Sequence, residues 1–342
     1  MIGFVPIILR KGKSVSKMKY RRLGRTQISV SEIGFGTWGI GGLTKGLTSY
    51  GKTDDSESIK ALKVAFDSGV NFFDTSNIYG DGHSEILLGK VFKKLRDKVI
   101  IASKVGFLEH HGKQDFSSVG IRRTLENSLK RLHCDYIDLY QLHSPEIAKL
   151  GPETVDTLKA LIKEGKIREF GISLKSPDDG KIAIKNFGFP VIQVNFNLAD
   201  QRALENGLFD FCAKEGVGII CRTPLCFGFL SGKYSHNSKF TRGDHRNSWS
   251  SAQIERWASA CKLFTAKLGN SLKQTNAQIS LRFCLSYQQV STTIPGMLNA
   301  TEVAENVLSS TLGVFDKKTR EEFEKIYKRT EFFITKKPSH AK

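Results

Sequence analysis

A chain of 342 residues with 39% hydrophobic content is long enough to bury a full core, as one large domain or two. Its net charge of +18 is concentrated at the ends: residues 1–31 hold eight Lys or Arg and no acid, and residues 316–342 hold nine against five acids, so solvated flanks explain most of the excess and no nucleic-acid module with an aromatic platform accompanies it. No run reaches the roughly 18 apolar residues of a membrane helix, and the apolar opening Met1–Leu9 precedes its charges, the reverse of a secretory signal; a soluble, cytoplasmic protein is expected.

In chain order, Tyr20 to Leu23 and Ile28 to Val30 around Gly24-Arg25 suggest a β-hairpin. Short β-branched runs then alternate with longer amphipathic ones. Strands are predicted at Glu32–Thr37, Val70–Asp74, Val99–Lys104, Tyr136–His143, Ile167–Ser173, Val191–Asn195, Val217–Arg222 and Ser291–Pro295. Helices are predicted at Asp55–Ser68, Ser84–Phe92, Ser118–Leu132, Glu153–Glu164, Pro177–Asn186 and Ala203–Glu215. Ser56 and Ser84 look like N-caps, and Gly69 and Gly165 like C-terminal stops. Eight such steps predict parallel strands closing into a (β/α)8 barrel. The hairpin would plug the barrel floor and a helix from Asp316 to Arg329 would close the chain. Phe227–Ser250, rich in Gly, Ser and charge, is too long for a plain connection and is predicted to be a functional loop.

The six cysteines show no C-x-x-C and no zinc-ligand spacing, and most sit in apolar runs; neither disulfides nor metal is expected. Gly34-Phe-Gly-Thr-Trp-Gly39 matches the dinucleotide fingerprint G-x-G-x-x-G, but the glycines from Gly41 to Gly51 cannot sustain the helix that must follow. Those glycines instead let the backbone approach a ligand at the end of the first strand.

Six predicted strands end in a polar residue: Asp74, Lys104, His143, Ser173, Gln193 and Arg222. A parallel barrel gathers these ends around one mouth. With Tyr79 added, the set suits carbonyl reduction, which needs a hydride and a proton for the developing alkoxide. Tyr79 would give the proton, Lys104 would supply the cationic field that makes a phenol a better donor, Asp74 would hold Lys104, and His143 would orient the carbonyl. Each also has a plainer role, as a turn cap, a barrel-mouth ion pair, a satisfied histidine or a packed aromatic. Four at matching strand ends form a catalytic set.

The chain also resembles the aldo-keto reductases, over about residues 18 to 330. The motifs are Gly69-Val-Asn-Phe-Phe-Asp-Thr-Ser-Asn-Ile-Tyr-Gly80, Ser84-Glu85, Leu88-Gly89, Ser103-Lys104, Tyr136-Ile-Asp-Leu-Tyr-Gln-Leu-His143, Gly165-Lys-Ile-Arg168 with Gly171, Ile294-Pro-Gly296 and Glu305-Asn306. The resemblance implies one reductase domain at 18–330, flanked by a basic extension at 1–17 and a Lys-rich tail at 331–342. It implies a nicotinamide dinucleotide bound without a Rossmann unit, and a tetrad of Asp74, Tyr79, Lys104 and His143 with Tyr79 as general acid. It places the carboxamide on Ser173 and Gln193, and Arg222 where many members stack an aromatic ring on the nicotinamide. Gly36, Thr37 and Trp38 would flank the coenzyme, as would Pro224, Leu225, Phe229, Ser231 and Lys233 along the pyrophosphate. Ile294, Gly296, Glu302 and Asn306 would serve the adenosine end. Leu298 and Glu302 depart from the basic and amide residues that related bacterial members use for a 2′-phosphate and point to NAD(H), whereas the family habit points to NADP(H); NADP(H) is expected.

Trp38, Phe107, His110, Phe227, His245, Arg246 and Trp249 are candidates for the substrate pocket. The substrate is expected to be a small-molecule aldehyde or ketone, with a sugar-derived carbonyl as one candidate. Two rival classes remain open, a cofactor-binding regulatory barrel with little turnover and a Schiff-base aldolase using Lys104 as nucleophile. The sequence does not specify an oligomeric state, and a monomer is compatible with it.

Overall fold

The computed structural model describes residues 17–46, 49–109, 112–266, 268 and 273–334. The expected extension at 1–17 and tail at 331–342 lie largely outside them, as does His110.

Strands β1 (Tyr20–Arg22) and β2 (Ser29–Ser31) pair antiparallel as the expected hairpin. Eight parallel strands follow in sheet order: β3 (Phe35–Gly36), β4 (Phe72–Asp74), β5 (Ile100–Val105), β6 (Ile137–His143), β7 (Ile167–Ser173), β8 (Val191–Asn195), β9 (Gly218–Arg222) and β10 (Val290–Thr293). Ile33 bridges Thr293 and Gly36 bridges Gly296 in parallel, so the first and last strands meet and the ring closes. Strand β3 is shorter than Glu32–Thr37 because Gly34, Gly36 and Thr37 bond outward to Thr293, Pro295 and Asp74 in an irregular ladder.

The helices are α1 (Asp55–Asp67), α2 (His83–Phe92), α3 (Ser118–Leu132), α4 (Pro152–Lys163), α5 (Asp179–Phe187), α6 (Arg202–Glu205), α7 (Leu208–Glu215), α8 (Ser251–Thr265), α9 (Asn276–Leu285), α10 (Ala300–Val307) and α11 (Lys317–Arg329). Helix α3 illustrates their logic. Ser117 caps it by accepting from Gly120 N, and Ile121, Leu125, Leu129 and Leu132 bury one stripe against the sheet. Strand β6 is buried on both faces through Leu142, as helices outside and side chains inside the barrel require. The expected helix Ala203–Glu215 is two, because Gly207 at φ +71 interrupts it.

Two expected N-caps are corrected. Asp54 caps α1, its carboxylate accepting from Ser56 N and Glu57 N; a carboxylate at that position satisfies two amides where Ser56 would satisfy one. Helix α2 starts at His83 after Gly82. Ser84 instead turns its hydroxyl to Thr37 Oγ1 (2.6 Å) and Thr75 Oγ1 (2.9 Å), joining α2 to the strand ends. Gly69 and Gly165 follow their helices at φ +91 and +74, as stops of this kind do.

The hairpin lies at the barrel floor. Leu23, Ile28 and Val30 pack on the inward residues Phe72, Ala102, Leu139, Val191, Ile220 and Ile294. That apolar plug leaves the opposite mouth for polar side chains. Among the described residues, no helix is long and apolar enough to cross a membrane, no group of three or more His, Cys, Asp or Glu is placed to hold a metal ion, and all six cysteines are free thiols. Burial pushes the Cys212 thiol up to about 12, which makes it a packing group rather than a nucleophile.

Candidate active site

Strand register brings the polar ends together. Lys104 pairs with Gln141, His143 with Ser173, and Ser173 with Gln193 across adjacent strands. Period-two alternation turns Leu139, Gln141 and His143 of β6 to the interior, while Asp138 faces outward to Arg96 and Arg168.

Lys104 is wholly buried. Its ammonium has three donors, and the structure gives each an acceptor: Asp74 Oδ1, Thr75 O at 2.9 Å and Tyr79 Oη at 3.2 Å. Burial alone pulls its pKa down, but the Asp74 carboxylate and the Tyr79 oxygen outweigh this and hold it above the ordinary lysine value. The second oxygen of Asp74 accepts from Gln193 Nε2 at 2.7 Å and Gln141 Nε2 at 3.1 Å. Tyr79 rides the loop after β4, its N–H on Ser76 O. Gly80 beside it has φ +62, and a Cβ there would lie 2.1 Å from Gly41 O, so glycine is required for this close approach. His143 shares a hydrogen bond between Nδ1 and Ser76 Oγ (3.2 Å), and its ring stands edge-on to Tyr79 and Phe107 at 6.0 and 4.9 Å.

A cleft of about 420 Å³ runs from this cluster across the strand ends. Its lining includes Asp74, Tyr79, His143, Gln193 and Arg222, then Gly36, Thr37, Trp38, Pro224, Leu225, Ser231 and Lys233, and also Ile294, Gly296, Leu298, Glu302 and Asn306. Phe107, Phe227 and Arg246 also line it. Arg222 Nη2 donates to Leu174 O at 3.1 Å, while its buried Nε has no partner, and burial holds the guanidinium below its usual value.

Five expected residues among the described ones fall outside the cleft lining, and Lys104 is one of them, wholly buried and reaching the cleft through Asp74 and Tyr79. Phe229 is wholly buried among Tyr234, Phe240, Trp249 and Trp257, because its ring seals the long loop onto α8. Ser173 lies behind Gln193, 3.5 Å from its Oε1. His245 shares a bond with Ser49 O and buttresses Trp38 at 4.6 Å. Trp249 packs on Phe227 and Trp257 and lines a separate cavity of about 160 Å³. Arg246 reaches the cleft wall, but its charge is taken by Asp244 at 2.6 Å and its plane faces Tyr50, Tyr234 and Phe240. It fastens the loop rather than offering a free cation.

Sequence reasoning missed Gln141, Tyr50, Tyr234 and Thr223. Gln141 carries a legible signal, since it alternates with Leu139 and His143. The others sit on loops with no periodicity to expose them.

The model of the aldo/keto reductase family matches residues 32–328. The chain is similar to the protein named aldo-keto reductase YhdN of Bacillus subtilis (strain 168), 36% identical over 235 residues that cover 67% of this chain and 69% of that one. It is 28% identical to the NADH-specific methylglyoxal reductase of Escherichia coli (strain K12), over 87% of this chain and 95% of that one. Among solved structures, the holo form of aldo-keto reductase AKR11C1 from Bacillus halodurans superposes with a TM-score of 0.74 at 28% identity, covering 94% of this chain and 99% of that one.

Proposed function

The chain belongs to the aldo/keto reductase family, and from that membership we propose that it reduces an aldehyde or ketone to the alcohol, with Tyr79 as proton donor and NADP(H) as coenzyme. The observation that carries this reading is the bond from Lys104 Nζ to Tyr79 Oη. Because the ammonium donates to the phenol oxygen, the phenol's own proton is left for an acceptor in the cleft. A bound reduced nicotinamide supplies the hydride to the carbonyl carbon. Tyr79 gives its proton to the carbonyl oxygen as negative charge grows there, and the Lys104 ammonium stabilises the phenolate left behind. His143, held through Ser76, directs the carbonyl.

Three features fit a dinucleotide. Arg222 Nε is buried and unpartnered at the catalytic end. Gly296 would meet only Gly36 O at 4.0 Å if it bore a Cβ, so the cleft wall there is open to a ligand. Lys233, paired with Glu302, supplies a cation to the lining that also holds Asn306. A Schiff-base role for Lys104 is disfavoured, since a nucleophilic amine must be neutral and this one is a paired ammonium. The apolar walls of Trp38, Phe107 and Phe227 suit a small aldehyde. Steady-state NADPH consumption with a panel of aldehydes that includes methylglyoxal is expected to show turnover; coenzyme binding with no consumption on any member sinks the reductase reading.

At the adenosine end, Glu302 accepts from Lys233 Nζ at 3.0 Å and from Leu298 N at 2.9 Å. Both its oxygens are engaged, while Lys233 has spent one of three donors and keeps two for a 2′-phosphate. Fluorescence titration is therefore expected to give tighter NADPH than NADH binding. Glu302→Gln, which removes the opposing charge and frees Lys233, is expected to widen that margin about tenfold. A preference for NADH in the unmodified protein reverses the coenzyme assignment.

A further inference from the structure

We propose that Gln141 is a positioning residue for proton transfer: it holds Asp74 so that one carboxylate oxygen stays on Lys104, and it locks Gln193 to the same carboxylate. This rests on the reading of Tyr79 as proton donor.

An aspartate's terminal torsion is broad and nearly two-fold, so nothing in Asp74 itself decides how its oxygens face Lys104. Two amides decide it. Gln193 Nε2 and Gln141 Nε2 both donate to Oδ2, at 2.7 and 3.1 Å, which leaves Oδ1 to the ammonium. Gln141 Oε1 accepts from Gln193 Nε2 at 3.2 Å, so the orientation of one amide fixes that of the other. Gln141 and Lys104 are wholly buried and Gln193 and Asp74 nearly so, and a buried amide is tolerated here because both its ends are bonded. The groups form one continuous chain, Gln193 to Gln141 to Asp74 to Lys104 to Tyr79. Leu139, two residues before Gln141, belongs to the apolar floor. Gln141 is therefore the layer where the rigid plug hands over to the reacting groups.

The electrostatic consequence has a sign. Each amide N–H spreads the Asp74 charge. Without the Gln141 donor, more of that charge falls on Lys104 and Tyr79, the phenol parts with its proton less readily, and the alkaline fall of kcat/KM moves to higher pH. The other titratable or charged groups facing Asp74 and Tyr79 are Lys104 on β5, His143 on β6 and Arg222 on β9, none of which the substitution alters.

The test is the pH profile of carbonyl reduction by Gln141→Met, a near-isosteric change without the amide. The expected result is a kcat lowered about tenfold, an alkaline limb displaced upward by about half a unit, and a coenzyme Kd within a few-fold of the original. Gln141→Glu should restore turnover toward acid pH, where its protonated carboxyl can donate to Asp74, and lose it as pH rises. A merely structural role would lower stability and kcat with the limb unmoved, and that outcome overturns the proposal. If Gln141→Met does not fold, the Gln141→Glu profile decides alone: a profile parallel to the original at lower amplitude overturns it. Failure here is separable from failure of the proton-donor reading, which is tested at Tyr79 itself.

Discussion

Replacing Tyr79 with phenylalanine is expected to lower kcat about a thousandfold while leaving the NADPH dissociation constant within about threefold of its original value. The ring keeps its place because its neighbours hold the loop and not the hydroxyl: Gly80 is pressed on Gly41, and Asn77 Nδ2 bonds Phe107 O at 3.0 Å. What disappears is the oxygen that accepts from Lys104 and that we propose gives the proton. An interaction made only as the alkoxide develops should be lost from kcat rather than from coenzyme binding. Stopped-flow single turnovers together with fluorescence titration separate the two. Near-normal turnover in Tyr79→Phe would remove the proposed acid, and a large rise in coenzyme Kd would show that the phenol serves binding.

Lys104→Met should lower both activity and stability. The Asp74 carboxylate would keep its two amide donors but lose the only cation paired with it among the described residues, and breaking a buried pair from one side costs about 3–5 kcal/mol. The pH dependence follows from the raised value of Lys104. A lysine whose folded pKa lies above the usual value of about 10.5 contributes stability that is fully present below that value and is lost as pH rises through the folded one. Urea midpoints of the original protein should therefore lack any contribution from this pair to their slope between pH 7 and 9.5, and fall above about 10.5. Those of Lys104→Met should start lower and lack that alkaline component. Equal midpoints for the two proteins at neutral pH would mean that the pair adds nothing to the fold.

The fold was legible where local and global signals agree. Ser118–Leu132, Ile167–Ser173 and Val191–Asn195 are found at their predicted bounds, because cap and apolar periodicity mark the same positions in the helix, and the two strands are apolar runs that follow Gly165 and Pro190. That Asp74, Lys104 and His143 come together was legible because a parallel barrel makes strand ends converge, so a one-dimensional pattern becomes a place. Helix α8 was missed although Ile254, Trp257, Cys261 and Phe264 bury one stripe, since it lies outside the strand–helix repeat and after a segment rich in glycine and charge. Ser84 looked like a cap because its partners, Thr37 and Thr75, are 47 and 9 residues away. Phe229 was assigned to the coenzyme and Trp249 to the substrate pocket because the direction of a loop side chain has no sequence period; only the packing of α8 decides it.

The place where the ring shuts has a mechanical meaning. Gly36 and Gly296 form the bridge between the outermost strands, and both also border the long cleft. An occupant that reaches both glycines would lie across the join like a clasp over a hem, touching the first strand and the turn after the last at once. For such a ligand, filling the groove and fastening the cylinder would be a single event, the tightness of one shared thermodynamically with the durability of the other.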